Sequence, residues 1–427
     1  MDYANSLFDF IRRSPTAFHA VAEMKRLLLA DGYTELSPGA PVVGAGKYFV
    51  TKNASSLIAF RSSGKPERGF LIAASHSDSP TFRVKLDPAL GGRYTRLAVE
   101  RYGGMIYYTW MDRPLSVAGR VFVRTADGAI EQRLAHIDRD LLTIPSVAIH
   151  MHRSVNENCA LNPAVDLLPL FGAENTAAAF NRLLAESVGL AEGEEIVSHD
   201  LFLTVREEGR VFGGNGEFIL SPRLDDLECV YTSFEGFRSA SETDCTPVLA
   251  VFDNEEVGSA TKQGAASTFL ADTLLAIAGS RENYEKMLAQ SFMISADNAH
   301  AVHPNHPEYA DASNAPVING GVVLKYNASQ RYATDGFSDA LLREICRKAS
   351  VRLQNYYNRA DLPGGGTLGS IADTKVSIPT VDIGLAQLAM HAAVETAGAA
   401  DIEDALRLFT AFFSSDITVR GDRAVVR

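Results

Sequence analysis

The amino-acid sequence predicts an α/β protein in which a mostly parallel central sheet with flanking helices is interrupted by a smaller β-rich inserted domain. Two observations predict this class. Short apolar runs that end abruptly in polar residues alternate with segments of helical spacing, which is typical of a layered α/β domain. Between about residues 84 and 218 the pattern changes to β-like alternation around a loop-rich middle, and 427 residues are too many for one ordinary core.

The first predicted element is a helix near the N-terminus. Ser14 is its candidate cap, Pro15 its first residue and Gly32 its terminator. One face of this helix is apolar and carries Ala17, Val21, Met24 and Leu28. Two later helices are expected, SDALLREICRKA from Ser338 and DIEDALRLFTAFF from Asp401, and the acidic first turn of the second suits the helix dipole.

Three short apolar runs predict strands that are buried on both faces of the sheet. The runs, with the polar residues that follow them, are FLIAA before Ser75 and His76, VLAVF before Asp253, and FMIS before Ala296 and Asp297. Ligands of open α/β sheets gather at the carboxyl ends of the strands, because loops can reach over the sheet edge there. We therefore expect the functional site at this edge.

The middle of the chain predicts a separate domain. MIYYTW and AGRVFVRT have the alternation of β-strands, and the middle of this stretch is long and rich in loops. The expected boundaries give one domain from residues 1–84 and 219–427, and an inserted domain from residues 85–218.

Composition excludes several classes of protein. A hydrophobic share of 46% and a charged share of 22% indicate a globular chain. The start lacks the apolar run of a secretory signal and no stretch predicts a membrane span, so we expect a cytoplasmic protein. With a net charge of −12 and no basic stripe, neither nucleic acid nor a membrane is an expected partner. The scattered cysteines predict neither disulfides nor a thiolate-bound metal; they are Cys159, Cys229, Cys245 and Cys346.

Two acidic motifs lie near predicted strand or helix ends. In ASHSDSP, Asp78 follows His76 by two residues, a spacing in which a carboxylate can fix the tautomer of a metal-binding imidazole. A histidine capped within its loop is the alternative. In SPRLDDLECV, Asp225 and Asp226 precede an apolar helical stretch, where acids are also favourable without any metal.

Five residues at element boundaries together predict a paired divalent metal site: His76, Asp225, Glu256, Asp297 and His391. One ion would receive His76, Asp225 and Asp297, and the other Asp225, Glu256 and His391, which leaves a place for a shared water. Imidazole and carboxylate without thiolate suit zinc, with cobalt or manganese as alternatives.

The segment VFDNEEVGS sets two glutamates side by side after a predicted strand. Successive side chains of a strand point to opposite faces, so both can approach one site only where the strand has ended and the backbone turns. Glu256 would then bind metal, and Glu255 would lie near the shared water as general base. A solvated acidic turn is the alternative. His300 and His303 have the spacing of a helical zinc motif, but neighbouring prolines predict a loop, so both are left outside the site.

In this order and with these flanks, the segments resemble the aspartyl aminopeptidases of the M18 family, which are dinuclear zinc exopeptidases. The motifs that carry the resemblance are HSDSP, SPRLDDLE, DNEEVGS, ISADNAHAVHPN, KYNASQRYATD and QLAMHAAVETAG, and they span nearly the whole chain. The resemblance implies two zinc ions on the five ligands named above, Glu255 as base and Asp78 as orienter of His76. It also implies hydrolysis of the N-terminal residue, Asp or Glu, from short peptides with a free N-terminus.

The resemblance adds residues that spacing does not identify. Lys325 and Tyr332 match positions that face the substrate, with Lys325 pairing an acidic side chain. His150 matches an active-site histidine, which implies a substrate contact, with metal ligation as an alternative. Without the resemblance, His150 on an apolar strand suggests a core histidine, and Lys325 an ordinary surface lysine.

The family also implies that the inserted domain mediates dimerisation and that dimers assemble into a tetrahedral dodecamer. One departure concerns DLPGGGTLGS, whose three glycines stand where related enzymes place a bulkier residue beside the substrate pocket. This leaves a broad or neutral-specificity aminopeptidase, or a related deacylase, as the alternative within enzymes. A non-enzymatic self-assembling scaffold is the alternative from another class.

Overall fold

The computed structural model describes residues 3–37, 39–64, 68–420 and 423–427. The helices are α1 Tyr3–Arg13, α2 Ala17–Ala30, α3 Ala177–Ser187, α4 Leu224–Ser239, α5 Phe269–Ala278, α6 Arg281–Leu288, α7 Gly336–Ala349, α8 Leu368–Asp373 and α9 Asp401–Ser414. Short 3-10 turns span Tyr107–Trp110, Glu255–Val257 and Pro307–Tyr309. The strands are β1 Thr34–Glu35, β2 Ala45–Lys52, β3 Ser56–Ser63, β4 Phe70–His76, β5 Thr81–Leu90, β6 Tyr94–Tyr102, β7 Leu115–Arg124, β8 Ile130–His136, β9 Leu170–Ala173, β10 Glu195–Val205, β11 Arg210–Phe212, β12 Phe218–Ser221, β13 Thr246–Phe252, β14 Phe292–Ala296, β15 Ala299–His300, β16 Val322–Tyr326, β17 Leu353–Tyr357, β18 Thr380–Gly384, β19 Ala386–Leu388, β20 Glu395–Gly398, β21 Ile417–Arg420 and β22 Arg423–Val426.

The chain divides into two compact units. The first unit comprises Met1–Asp78, Gly209–Met390 and Glu395–Arg427, and the second comprises Ser79–Glu208 and His391–Val394. The chain therefore changes unit after Asp78 and before Gly209, whereas the sequence placed these changes at residues 84 and 219. Dimerisation through the inserted part stays a prediction.

The first unit is built on a large mixed sheet. Across the described parts of the chain, its nine strands have the order β1-β2-β3-β13-β4-β14-β18-β16-β17. The central neighbours β13, β4, β14 and β18 run parallel to one another, and β1 is parallel to β2 and β16 to β17. The remaining neighbours are antiparallel. The predicted fold class, an α/β protein with a mostly parallel central sheet, is confirmed.

Strand β4 shows why its sequence is apolar throughout. Successive side chains of a strand point to opposite faces. Leu71 and Ala73 therefore pack into one hydrophobic core, and Phe70 and Ile72 into another. The first core is closed by α1, α2, α4, α7 and α9, and the second by α5, α6 and α8. Full burial of one such side chain contributes roughly 1.5 to 3 kcal/mol, so helices on both faces hold the central strands in place.

The predicted first helix is present, but its start is wrong. Helix α2 begins at Ala17 with Thr16 as the capping position, not at Pro15 with Ser14 as the cap. The backbone N–H of Ser14 donates to the Ile11 carbonyl at 3.0 Å, so Ser14 completes the last turn of the preceding helix α1 instead. Gly32 lies just past the end of α2 with φ +80°, as a terminator requires. The two later predicted helices correspond to α7 and α9.

The second unit is β-rich, as predicted. Where the structure describes it, its sheet is antiparallel with the order β8-β7-β10-β5-β6-β9, and α3 packs against it. The segment AGRVFVRT lies largely in β7 as expected. The strand expected for MIYYTW is wrong, because local bonds such as Thr109 N–H to the Ile106 carbonyl form a 3-10 turn. This turn buries Trp110 edge-on against Phe82, with ring centroids 5.3 Å apart.

Among the described residues, no helix has the length and apolar character needed to cross a membrane.

Candidate metal centre

Three neighbouring strands of the first unit end at one edge of the sheet. In the parallel pairing, Phe252 at the end of β13 lies opposite His76 at the end of β4. Strand β14 pairs with the other side of β4 and ends at Ala296, directly before Asp297. Because parallel strands end at the same edge, His76, Asp253 and Asp297 are brought to it from distant parts of the sequence.

Two more carboxylates reach this edge from the start of helix α4. Asp225 and Asp226 have non-helical backbone angles, and the peptide bond between them is cis. The Nε2 atom of His76 lies 3.5 Å from Asp225 Oδ1 and 4.0 Å from Asp226 Oδ2. The backbone N–H of Asp225 donates to Glu395 Oε2 at 3.0 Å, which ties α4 to strand β20.

Four of these side chains form a compact buried group. His76, Asp225, Asp226 and Asp297 each offer one ligand atom, and these atoms all lie within 4.8 Å of one another. Oδ1 of Asp226 is buried and has no hydrogen-bond partner among the residues that the structure describes. Three buried carboxylates beside one imidazole are costly without a compensating cation. Imidazole and carboxylate oxygen are also the ligands that zinc accepts, so the residues fit a divalent ion.

Asp78 connects His76 to the adjacent glutamates. The Nδ1 atom of His76 lies 3.1 Å from the Asp78 carbonyl oxygen and 3.4 Å from Asp78 Oδ1. The same carboxylate accepts the backbone N–H groups of Glu255 and Glu256, each at 3.2 Å. One buried residue therefore contacts both the imidazole and the loop that carries the two glutamates.

The segment NEEVG turns directly after strand β13. Asn254 is in the left-handed region with φ +63°, and its Oδ1 accepts bonds from Thr261 at 2.9 Å and Gln263 at 2.6 Å. These bonds close the loop around the glutamates. Ligand atoms of His76, Glu255 and Glu256 all lie within 4.8 Å of one another, so the turn brings both carboxylates to one side chain.

The pKa values in this cluster show an excess of negative charge. Burial lowers the pKa of His76, but the surrounding carboxylates raise it, and Asp226 has the largest effect among them. The resulting pKa lies well above the usual value of histidine. Burial raises the pKa of Glu255 to about 8 and that of Asp297 to about 6. An added cation would act in the opposite direction on the carboxylates.

Comparisons with known proteins agree with this chemistry. The family described as "Aminopeptidase I zinc metalloprotease (M18)" matches residues 10–413. A probable M18 family aminopeptidase 2 of Clostridium novyi is 42% identical over 96% of this chain and 98% of its own. Its counterpart in Clostridium acetobutylicum is 44% identical over 97% and 99%.

The chain belongs to the M18 aminopeptidase family. It is therefore a hydrolase of the zinc metalloprotease class. Solved structures show the same fold: in the cryo-EM structure of an Ape4 and Nbr1 complex, one chain is 36% identical, with a TM-score of 0.93 over 97% of this chain and 85% of that one. The mApe1 dodecamer of S. cerevisiae is 26% identical, with a TM-score of 0.85 over 96% of both chains.

Lys325 is not the surface lysine that its sequence context alone suggests. It lies on β16, is 2% exposed, and its Nζ donates to the carbonyl oxygens of Asp297 at 2.6 Å and Asn298 at 3.3 Å. The ring of Tyr332 lies 5.2 Å from the same Nζ. Burial lowers the pKa of Lys325, but Asp297 leads the neighbours that raise it above its ordinary value, so the ammonium keeps its charge.

The other two predicted histidines belong to the second unit. His391 has φ +67°, and its Nδ1 lies 2.7 Å from the Gly104 carbonyl oxygen. His150 lies in an exposed turn, so the alternative of a core histidine on a strand is wrong. The reason is that residues 145–150 form no ladder, and their side chains are exposed. His303 of the first unit is exposed and outside any helix, as expected.

Sequence reasoning missed two residues of the site. Asp226 was seen in the acidic doublet but given no role beyond the helix terminus. The Nδ2 of Asn298 donates to the Leu224 carbonyl at 3.1 Å, and to Glu228 and Gln387, each at 3.2 Å. Only its position directly after Asp297 could have drawn attention to Asn298.

Proposed function

We propose that this M18 aminopeptidase removes an N-terminal Asp or Glu from short peptides at a dinuclear metal centre, with Glu255 as general base. The observation that carries the proposal is the buried group of His76, Asp225, Asp226 and Asp297, whose ligand atoms lie within 4.8 Å of one another. Uncompensated charge of this kind is retained in proteins where a cation or a substrate supplies the missing partner.

The first ion would be held by His76, Asp225 and Asp297, and a second by Asp225, Glu256 and His391. Zinc suits this donor set best, with cobalt and manganese as alternatives. When bound, such a pair of ions lowers the pKa of a shared water and polarises the scissile carbonyl. His391 lies in a short segment of the second unit, His391–Val394, which comes between two parts of the first unit in the chain.

Two observations support Glu255 as the general base. Its carboxylate offers an atom within 4.8 Å of His76, and Asp78 fixes its backbone. In the proposed reaction Glu255 accepts a proton from the attacking water and passes it to the leaving amine. Asp78 would act as the orienting residue of His76 throughout.

Lys325 and Tyr332 are proposed to face the substrate, with the Lys325 ammonium pairing an acidic side chain. The charge of Lys325 in a desolvated place supports this role, since an ion pair there is worth more than in water. His150 is proposed as a substrate contact, with metal ligation as its alternative. Its exposure leaves the imidazole accessible to a peptide.

A broad or neutral specificity is the second candidate, because one observation favours it. The Lys325 ammonium already donates to two main-chain carbonyls and is almost fully buried. Two of its three N–H groups are therefore in use before any substrate arrives. If Lys325 serves to hold the Asp297 segment, the pocket does not select for acids.

We also propose that the chain forms a homo-oligomer, with a tetrahedral dodecamer of dimers as the expected form. The S. cerevisiae relative is described as a dodecamer. Exposed apolar side chains in the second unit support an interface; they are Val147, Ile149, Met151 and Val165. Light scattering after size-exclusion chromatography measures the mass, and a monomer at micromolar concentration would contradict the proposal.

The test of the proposed function combines metal analysis with a substrate panel. Purified protein loaded with zinc should contain two ions per subunit and should release Asp and Glu from aminoacyl substrates faster than Leu or Ala. Equal rates on all substrates would favour the broad-specificity candidate. One ion per subunit would contradict the dinuclear centre, and full metal content without hydrolysis of any member would contradict the catalytic role.

A further inference from the structure

Asp226 is a buried carboxylate in the candidate centre to which the sequence assigns no metal-binding role. Its side chain is 0% exposed, and its Oδ2 accepts the backbone N–H of His76 at 3.2 Å. The same Oδ2 lies 4.0 Å from His76 Nε2. Asp226 thus contacts the predicted ligand His76 through the main chain while its charge stays close to the imidazole.

The second oxygen of Asp226 gives an independent observation. The Cys229 thiol interacts with the Asp226 carboxyl group, but Oδ1 is buried and has no partner within hydrogen-bonding distance among the described residues. A buried carboxylate oxygen without a donor destabilises the fold unless a cation compensates it. Lys325 is a buried cation next to Asp297, but its Nζ is bonded to the main-chain oxygens of Asp297 and Asn298.

We infer that Asp226 is a positioning residue that raises the affinity of the centre for a divalent cation by adding a third carboxylate charge beside Asp225 and Asp297. Its hydrogen bond to His76 N–H fixes the end of β4 from which the imidazole projects. This inference rests on the proposed function, in which the cluster binds a divalent ion. The physical reason is that Coulomb attraction to a dication is strong at a few ångströms where water is excluded.

Glu228 offers a matched control on the same helix. It is also 0% exposed, its Oε2 accepts from Asn298 Nδ2 at 3.2 Å, and its Oε1 is buried without a partner among the described residues. Glu228 is not part of the group whose ligand atoms lie within 4.8 Å of one another. Removing its charge therefore relieves a similar burial cost at a place farther from the ligand atoms.

The experiment compares Asp226→Asn with Glu228→Gln in the full chain. The Asn side chain keeps an acceptor for His76 N–H and removes the charge. Zinc binding is titrated against a competing chelator, and melting temperatures are measured for metal-free and zinc-loaded protein. For Asp226→Asn we expect zinc affinity to fall about tenfold or more, while the metal-free protein melts no lower than wild type. For Glu228→Gln we expect less than a threefold change in affinity.

Three results would overturn the inference. Unchanged zinc affinity in Asp226→Asn would remove the charge role, and an equal loss in Glu228→Gln would show that any buried acid of α4 has the same effect. A lower melting temperature of the metal-free Asp226→Asn protein, with unchanged zinc affinity per folded molecule, would indicate a purely structural residue. If Asp226→Asn does not fold, Asp226→Ser removes the same charge, and the same measurements and contradicting results apply to it. Wild-type protein that binds no zinc would instead overturn the proposed function together with this inference.

Discussion

The carboxylates at the sheet edge of the first unit and those of the second unit have different neighbours. Other acids surround the former, and arginines pair with the latter. At the edge of the first unit, carboxylates surround His76, and burial raises the pKa of Glu255 to about 8 and that of Asp253 to about 7. Acidic side chains are thus concentrated at a place from which water is largely excluded. Desolvation is the dominant cause for both carboxyl groups.

In the second unit, carboxylates are paired with arginines. Arg133 donates two hydrogen bonds to Glu194, at 2.7 and 2.6 Å, and these lower the pKa of Glu194 to about 2. Asp200 accepts from Arg83 at 2.6 Å and from Arg120 at 2.8 Å. Each of these acids has its cation within the fold.

The difference distinguishes charge that the fold itself pairs from charge that, in the proposed function, a bound cation would pair. A structural carboxylate is stabilised by a nearby guanidinium, as in the second unit. A functional cluster keeps its acids close together and leaves the compensation to a bound cation. The direction of the pKa shifts, upward for Asp253, Glu255 and Asp297 and downward for Glu194, is the measurable sign of that distinction.

The largest effect is expected for Asp225→Ala, because Asp225 is the proposed bridge between two ions. We expect kcat/KM to fall by at least about 10³-fold, since a metal ion contributes several kcal/mol to such a reaction. Metal content per subunit should fall as well, as measured by mass spectrometry. The exposed Asp244→Ala variant is the control, and wild-type metal content in Asp225→Ala would contradict the bridging role.

The next effect is expected for Glu255→Gln, which keeps the shape of the side chain and removes the base. Turnover should fall by about 10²- to 10⁴-fold because proton transfer by a positioned group contributes that much. Metal content should stay as in wild type, which separates the base from the ligands. Glu282→Gln on α6 serves as the exposed control, and retained hydrolysis would exclude Glu255 as the base.

A smaller effect is expected for Lys325→Met, which keeps the apolar stem and removes the charge. The ratio of kcat/KM for Glu over Leu substrates should fall about tenfold or more, because a charge-assisted hydrogen bond is worth roughly 1.5 to 3 kcal/mol. The ratio does not depend on how much of the protein is folded. Lys262→Met, an exposed change, should leave it unchanged. An unaltered ratio in Lys325→Met would favour the broad-specificity candidate.

The smallest effect is expected in the second unit, for Arg133→Gln. The side chains of Arg133 and Glu194 are 25% and 11% exposed. The melting temperature at pH 7 should fall by less than about 4 °C, because ion pairs that water can still reach contribute little. The folded pKa of Glu194 is depressed from 4.5 to about 2, so the pair stabilises the fold above pH 4.5 and loses that effect as the pH falls towards 2. The difference from wild type should therefore vanish at low pH. Thermal scans between pH 2.5 and 7 measure it, and a constant difference would contradict the pairing.

Much of the fold could be predicted from local pattern. The runs at β4, β13 and β14 are apolar because both faces are buried, and α7 and α9 follow their helical spacing. The strand expected at MIYYTW failed for a physical reason, because a 3-10 turn can also bury Trp110 without pairing its backbone to a neighbouring strand. Local periodicity indicates which side chains are buried, but it does not indicate whether a strand or a turn carries them.

The sequence by itself predicted three central strands of the large sheet, β4, β13 and β14, and three helices that pack on it, α2, α7 and α9. It also gave the residue types that suit a divalent ion at the strand ends. Only the tertiary structure decided which of those residues meet. It brought the Asp78 carboxylate to the N–H groups of Glu255 and Glu256, buried Lys325 beneath Asp297, and added Asp226 to the cluster. These contacts join residues that are far apart in the chain or lie where the backbone leaves its regular geometry. They depend on strand order and packing, which no local sequence period encodes.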